Sequence, residues 1–215
     1  MSDRTLRQSI IDELEWEPSV DAAHIGVAVD KGVATLTGHV SSYAEKLAAE
    51  RAVVRVKGVT AIAEKIEIRY PDAKRTADDQ IAKRVVDIIA WQVSVPSDKI
   101  KVKVEKGWVT LTGEVDWHFQ KADAEKGVRR LSGVMGIANL ITIKPQVEAR
   151  DVKKRIEDAL KRNAEIEAQN IRVVVSGGKV TLDGTVDSWA ERQRVENTVW
   201  SAPGVVSVED HLRVG

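Results

Sequence analysis

The sequence predicts an α+β fold: three tandem α-β-β-α-β domains, each a three-stranded mixed sheet covered on one face by two helices. Three observations carry this. A glycine-bounded string recurs as Asp30-Lys31-Gly32-Val33-Ala34-Thr35-Leu36-Thr37-Gly38, as Glu105-Lys106-Gly107-Trp108-Val109-Thr110-Leu111-Thr112-Gly113, and as Ser176-Gly177-Gly178-Lys179-Val180-Thr181-Leu182-Asp183-Gly184. Twenty residues beyond each closing glycine (Gly38, Gly113, Gly184) stands a Gly-Val pair, at Gly58, Gly133 and Gly204, so two landmarks agree on offsets of 75 and then 71 residues. The apolar pattern around them changes period in the same order each time.

Each repeat opens with a 3.6-residue period, Leu6, Ile10 and Leu14, then Ile81, Val85 and Ile89, then Val152, Ile156 and Leu160, which places one apolar stripe on a helix. Alternating residues follow, Ile25, Val27 and Val29, matched by Ile100, Val102 and Val104 and by Ile171, Val173 and Val175, as in a strand with one buried face. The glycine turn reverses the chain into a second strand whose Leu36, Leu111 and Leu182 face the core. A second helix starts near Ser42, Asp116 and Ser188, where Ser42 with Glu45 and Ser188 with Glu191 have capping-box spacing, and it is expected to end at the Gly-Val glycine. The third strand carries Ile62, Ile66 and Ile68, then Ile137, Ile141 and Ile143, then Val208, Leu212 and Val214. A strand-helix-strand crossover makes the second and third strands parallel, while the hairpin is antiparallel. The domains are set at residues 1–70, 77–145 and 148–215, joined by short linkers containing Pro71 and Pro145.

Composition excludes more than it identifies. Thirty-three basic residues balance 33 acidic ones, so the chain has no overall electrostatic footprint for nucleic acid, and none is expected as a partner. The absence of cysteine removes disulfides and thiolate chemistry. Residues 1–11 lack the apolar run of a secretory signal, so a cytoplasmic protein is expected, or a periplasmic one if a leader has been removed. His24, His39, His118 and His211 show no metal-ligand spacing, and no phosphate loop, dinucleotide fingerprint or nucleophile elbow occurs, so the chain reads as a non-enzyme without a cofactor.

The order of helix, K-G-x-V-x-L-x-G hairpin, second helix, Gly-Val and alternating strand resembles the BON domain, named for bacterial OsmY and nodulation proteins, over nearly the whole chain. Repeat three departs by reading Gly177-Gly178-Lys179 where the others read Lys-Gly. The resemblance implies a non-catalytic protein linked to osmotic or envelope stress that contacts anionic phospholipid surfaces or an envelope partner. A branch of the family joined to a LysM module binds potassium, which makes a potassium or small-ligand sensor the alternative, with a chaperone-like holdase as a third. No LysM-like segment occurs here.

Two sets of residues exceed what the repeat requires. Glu64, Asn139 and Asp210 stand in phase with the inward residues of the third strand; buried acceptors need partners, either a neighbouring loop such as the Gly-Val turn or a cation. Trp16, Trp91 and Trp189 occupy repeat-equivalent helix ends or starts and are expected to pack. In repeat two, Trp108 replaces Val33 and Lys179 on the sheet face away from the helices, and Trp117 replaces the capping serine. Phe119, Lys121, Lys126, Arg129 and Arg130 stand nearby in sequence, and residues 78–145 hold 11 basic against 9 acidic residues, where residues 1–70 hold 9 against 11. Aromatic and basic residues together suit an anionic membrane interface.

Overall fold

The computed structural model describes residues 2–71, 76–145, 151–163, 166 and 168–215. Both linkers run partly through residues outside that set, as does the start of the third domain at Glu148. The elements, in order, are α1 (Asp3–Trp16), β1 (Ile25–Asp30), β2 (Val33–Val40), α2 (Tyr43–Arg55) and β3 (Ala61–Ile68), then α3 (Asp78–Trp91), β4 (Ile100–Glu105), β5 (Trp108–Val115), α4 (His118–Val128) and β6 (Gly136–Ile143), then α5 (Val152–Arg162), β7 (Ile171–Ser176), β8 (Lys179–Val186), α6 (Trp189–Trp200) and β9 (Ser207–Val214). They form three three-stranded sheets, ordered β1-β2-β3, β4-β5-β6 and β7-β8-β9.

The central strand is the second of each repeat because it alone has both a hairpin and a crossover neighbour. In the first sheet, β1 runs antiparallel to β2 with Val27 opposite Leu36, and β3 runs parallel to β2 with Leu36 opposite Glu64. The third sheet repeats this register, with Val173 opposite Leu182 and Leu182 opposite Asp210. The helical stripes lie where the period puts them: Leu6, Ile10 and Leu14, Ile81, Val85 and Ile89, and Val152, Ile156 and Leu160 are all buried. Each such side chain contributes roughly 1.5–3 kcal/mol by leaving water.

Packing divides the chain into two compact units, one of Met1–Ile89, Val102–Thr110 and Lys126–Ala138, the other of Ala90–Lys101, Leu111–Glu125 and Asn139–Gly215. In the first, Leu6, Ile10 and Leu14 close on Leu36, Val53 and Ile66. Within the same unit the Tyr70 hydroxyl at the end of repeat one donates to the Val134 carbonyl oxygen at 2.7 Å. In the second unit, Ile156 and Leu160 close on Val173, Leu182, Val195 and Leu212.

A repeated hydrogen bond explains why the two sequence landmarks occur together. The hairpin glycine carbonyl accepts from the residue two places beyond the Gly-Val glycine: Thr60 N–H to Gly32 O at 2.9 Å, Met135 to Gly107 at 2.9 Å, and Val206 to Gly178 at 2.8 Å. The glycines of the turn, Gly32, Gly107 and Gly178, hold φ of 81°, 77° and 85°. The closing glycines answer a different constraint. A Cβ on Gly38, Gly113 or Gly184 would land on the carbonyl oxygen of His24, Lys99 or Asn170, the last residue of a short 3-10 turn before the first strand.

The helix ends correct one expectation. α2 stops at Arg55, α4 at Val128 and α6 at Trp200, each several residues short of its Gly-Val glycine. An additional turn intervenes, seen in the bonds Val59 N–H to Val56 O and Val134 N–H to Leu131 O, so the glycine ends that turn rather than the helix. The starts follow the sequence more closely. Ser42 and Ser188 accept from the Glu45 and Glu191 N–H groups at 3.1 Å. Glu45 also accepts from the N–H groups of Asp21 and Ser41, so this carboxylate, 9% exposed, joins the helix start to the loop before β1. In repeat two, Gln120 accepts from the Asp116 and Trp117 N–H groups at 3.0 and 3.1 Å, retaining half of the capping box without a serine.

Candidate functional site

The third-strand polar residues are half-buried, and their partners are the strand itself and the second helix, not the Gly-Val turn. Glu64 accepts from the Ile66 N–H at 2.6 Å and pairs with Lys46 Nζ at 2.7 Å. Asp210 accepts from the Leu212 N–H at 2.8 Å and from Arg192 Nε at 2.7 Å. Asn139 accepts from the Ile141 N–H at 3.3 Å and donates through Nδ2 to the Lys121 carbonyl and the Glu125 carboxylate. The substitution pattern has a physical logic: a carboxylate opposes Lys46 or Arg192, and an amide opposes Glu125. Burial, reinforced by the Glu64 charge, pushes the neighbouring Glu50 carboxyl above its ordinary range.

Trp108 stands on the outer side of β5, alternating with buried Val109, and is 57% exposed. Its ring lies so close over Gly136 that any Cβ there would run into it, which gives that glycine a reason the repeat pattern does not reveal. Lys103, Glu105, Lys106 and Thr110 border the ring, with Lys103 paired to Glu105 at 3.0 Å. Lys126 lies in the last turn of α4, and Arg129 and Arg130 follow in the turn before Gly133; these three share the compact unit of Trp108.

Trp117, Phe119 and Lys121 belong to the other unit. There Trp117, His118 and Phe119 at the start of α4 line an open groove of about 510 Å³ with Ala122 and with Asn197, Trp200 and Ser201 at the end of α6. The His118 imidazole stacks on the Trp200 indole with centroids 4.1 Å apart and 12° between planes. Burial lowers the His118 pKa below its ordinary value, the Lys121 charge adds to this, and Glu125 opposes it. Trp200 reaches the groove from another repeat and is not among the tryptophans the sequence singled out; the lack of a tryptophan at the equivalent positions Val54 and Arg129 was the available signal.

Two other tryptophans correct an expectation. Trp16 and Trp91 do not pack: they are 82% and 84% exposed at the ends of α1 and α3. Their side chains fall beyond the buried stripes that end at Leu14 and Ile89, so no core position is open to them. Trp189 is half-buried, with the Arg192 guanidinium 4.9 Å from its ring centroid. His24 and His39 stack at 4.6 Å. Among the described residues no group of three or more His, Asp or Glu could hold a metal ion, and no helix is long and apolar enough to cross a membrane.

What the geometry defines is a class of protein: three small α+β modules whose distinctive surface chemistry is aromatic and whose polar clusters are internally paired. The chain belongs to the BON domain family, whose family model matches residues 2–70, 77–145 and 149–215. Osmotically-inducible protein Y of Escherichia coli strain K12 is 29% identical over 148 residues, covering 65% of this chain and 71% of that protein. A solved structure of CdsD, a structural protein of the type III secretion system of Chlamydia trachomatis, aligns over 98% of this chain and 92% of its own at 15% identity, with a TM-score of 0.27. A structure of that protein's C-terminal domain aligns at 14% identity, covering 100% of both chains with a TM-score of 0.28. Similarities this low carry no argument.

Proposed function

We propose that this protein is a non-catalytic binding protein of osmotic stress that docks on anionic phospholipid surfaces through the outer sheet face of its second repeat. The stress association rests on the relative named for osmotic induction. The docking surface rests on one observation: an indole more than half exposed, lying close over Gly136, with Lys103 and Lys106 at its border. Such a ring sits well at headgroup level, and each basic residue near an anionic surface adds about 1 kcal/mol. Repeat three has Lys179, ion-paired with Glu209, at the equivalent position, so the aromatic anchor is particular to repeat two.

The experiment is co-sedimentation of the full chain with vesicles of phosphatidylglycerol and phosphatidylcholine. Trp108→Ala is expected to lower the bound fraction severalfold, and 0.5 M salt to lower it further by screening the lysines, on the order of a Debye length of a few Å. Equal sedimentation of parent and variant overturns the reading. Potassium sensing gains no support from Glu64, Asn139 and Asp210, because protein donors already engage their oxygens.

A further inference from the structure

The groove between the start of α4 and the end of α6 gathers aromatic residues that the repeat pattern does not require, although Trp200 also packs on the core of repeat three. Where repeat two has Trp117 and Phe119, the other repeats have Ser42 and Ala44, and Ser188 and Ala190. Where repeat three has Trp200, the others have Val54 and Arg129. Three aromatic substitutions in two different repeats therefore converge on one open groove of about 510 Å³. Phe119 is 51% exposed there, so its ring is accessible to a ligand.

Two charged residues adjoin the residues that line the groove. Glu196 accepts from Trp200 Nε1 at 3.3 Å, which orients the indole and sets a carboxylate at its edge. On the α4 side, Lys121 lies one turn beyond His118, close enough for its charge to act on the imidazole. Aromatic faces attract cations through the ring quadrupole, best when the cation is weakly hydrated and has methyl groups to bury. A flat aromatic ligand is less well served, because His118 and Trp200 already stack on each other and leave no slot between them.

We propose that this groove binds a small zwitterion of the betaine class, with its trimethylammonium group against Trp117, Phe119 and the Glu196 edge of Trp200 and its carboxylate turned toward Lys121. The site shares no residue with the Trp108 surface and does not depend on membrane docking. Its elements come from helices whose first and last turns are capped by Gln120 and by the Ser201 N–H, which donates to Asn197 O.

Isothermal titration of the full chain with glycine betaine tests this. Saturable binding with a dissociation constant of about 1 mM is expected. Trp200→Ala and Phe119→Ala should each weaken it by about fivefold or more. Phe119→Ala removes a half-exposed ring and keeps the fold, which circular dichroism verifies. Trp16→Ala should bind as the parent does. Glycine, with the same carboxylate but a strongly hydrated ammonium, should give no saturable heat. The proposal is overturned if betaine gives none, if glycine binds equally well, if Phe119→Ala is indistinguishable from the parent, or if phosphatidylcholine vesicles bind the chain while free betaine does not.

Discussion

The Asp78 carboxylate in the first turn of α3 accepts from the backbone N–H of Lys106 at 2.6 Å, and its other oxygen accepts from Gly107 at 2.9 Å. Asp3 makes the same pair of bonds to Lys31 and Gly32. The clamp coincides with strain: Lys31 and Lys106 hold φ of 48° and 51°, a left-handed conformation costing an L-residue roughly 1–2 kcal/mol. In repeat three the position equivalent to Asp78 is Ala149, and Gly177, with φ of 56°, replaces the strained lysine. Charged clamp and strained lysine occur together, and glycine stands where the clamping residue is missing.

Asp78→Ala is therefore expected to destabilise repeat two by about 1–2 kcal/mol, as two backbone donors lose a charged acceptor. Faster amide hydrogen exchange at Lys106 and Gly107 reports it locally. Adding Lys106→Gly to Asp78→Ala should recover part of the loss, by analogy with repeat three; no recovery would separate the clamp from the strain.

Gly113→Ala is expected to cost about 3 kcal/mol or more, because its Cβ meets the Lys99 carbonyl oxygen and its φ is 143°. Gly177→Ala, with open space around its Cβ, should cost only about 1 kcal/mol, the left-handed backbone alone. Urea denaturation of both variants checks the ranking, and similar losses would show that close approach is not what selects glycine at the hairpin end.

The contact of His118 with Trp200 should be acid-sensitive. Its pKa is lowered below the ordinary value of 6.5, so the unfolded chain takes up this proton more readily than the folded one. The associated stability is complete above about pH 6.5 and is lost as pH falls through the lower, folded-state value. Melting temperatures of the parent between pH 7.5 and 5.5 should fall more than those of His118→Phe, which keeps a stacking ring without a titrating group. Parallel curves would remove His118 as the source.

Much of the fold was legible in the sequence because its signals are local and repeated. The spacing of Leu6, Ile10 and Leu14 sets the buried face of α1 through helical geometry alone, and the Val27 and Leu36 alternation does the same for the hairpin. The end of the second helix was less legible, since Gly58 carries the positive φ of a chain reversal that the turn beyond α2 uses equally well. The site was legible only in part. Trp108 could be placed on the outer face by strand parity, but the glycine beneath it, Gly136, lies 28 residues away and has no periodic signature.

By itself, then, the sequence determined three copies of a helix, hairpin, helix and strand, with core faces and a parallel crossover, because period, turn chemistry and chain handedness act over short stretches. Only the tertiary structure decided that Glu64 meets Lys46 and not the turn, that Trp16 and Trp91 lie in the open, and that Trp117, Phe119 and Trp200 share one groove. Those outcomes depend on which distant surfaces meet. A contact across more than eighty residues between the start of α4 and the end of α6 leaves no periodic trace in the chain that makes it.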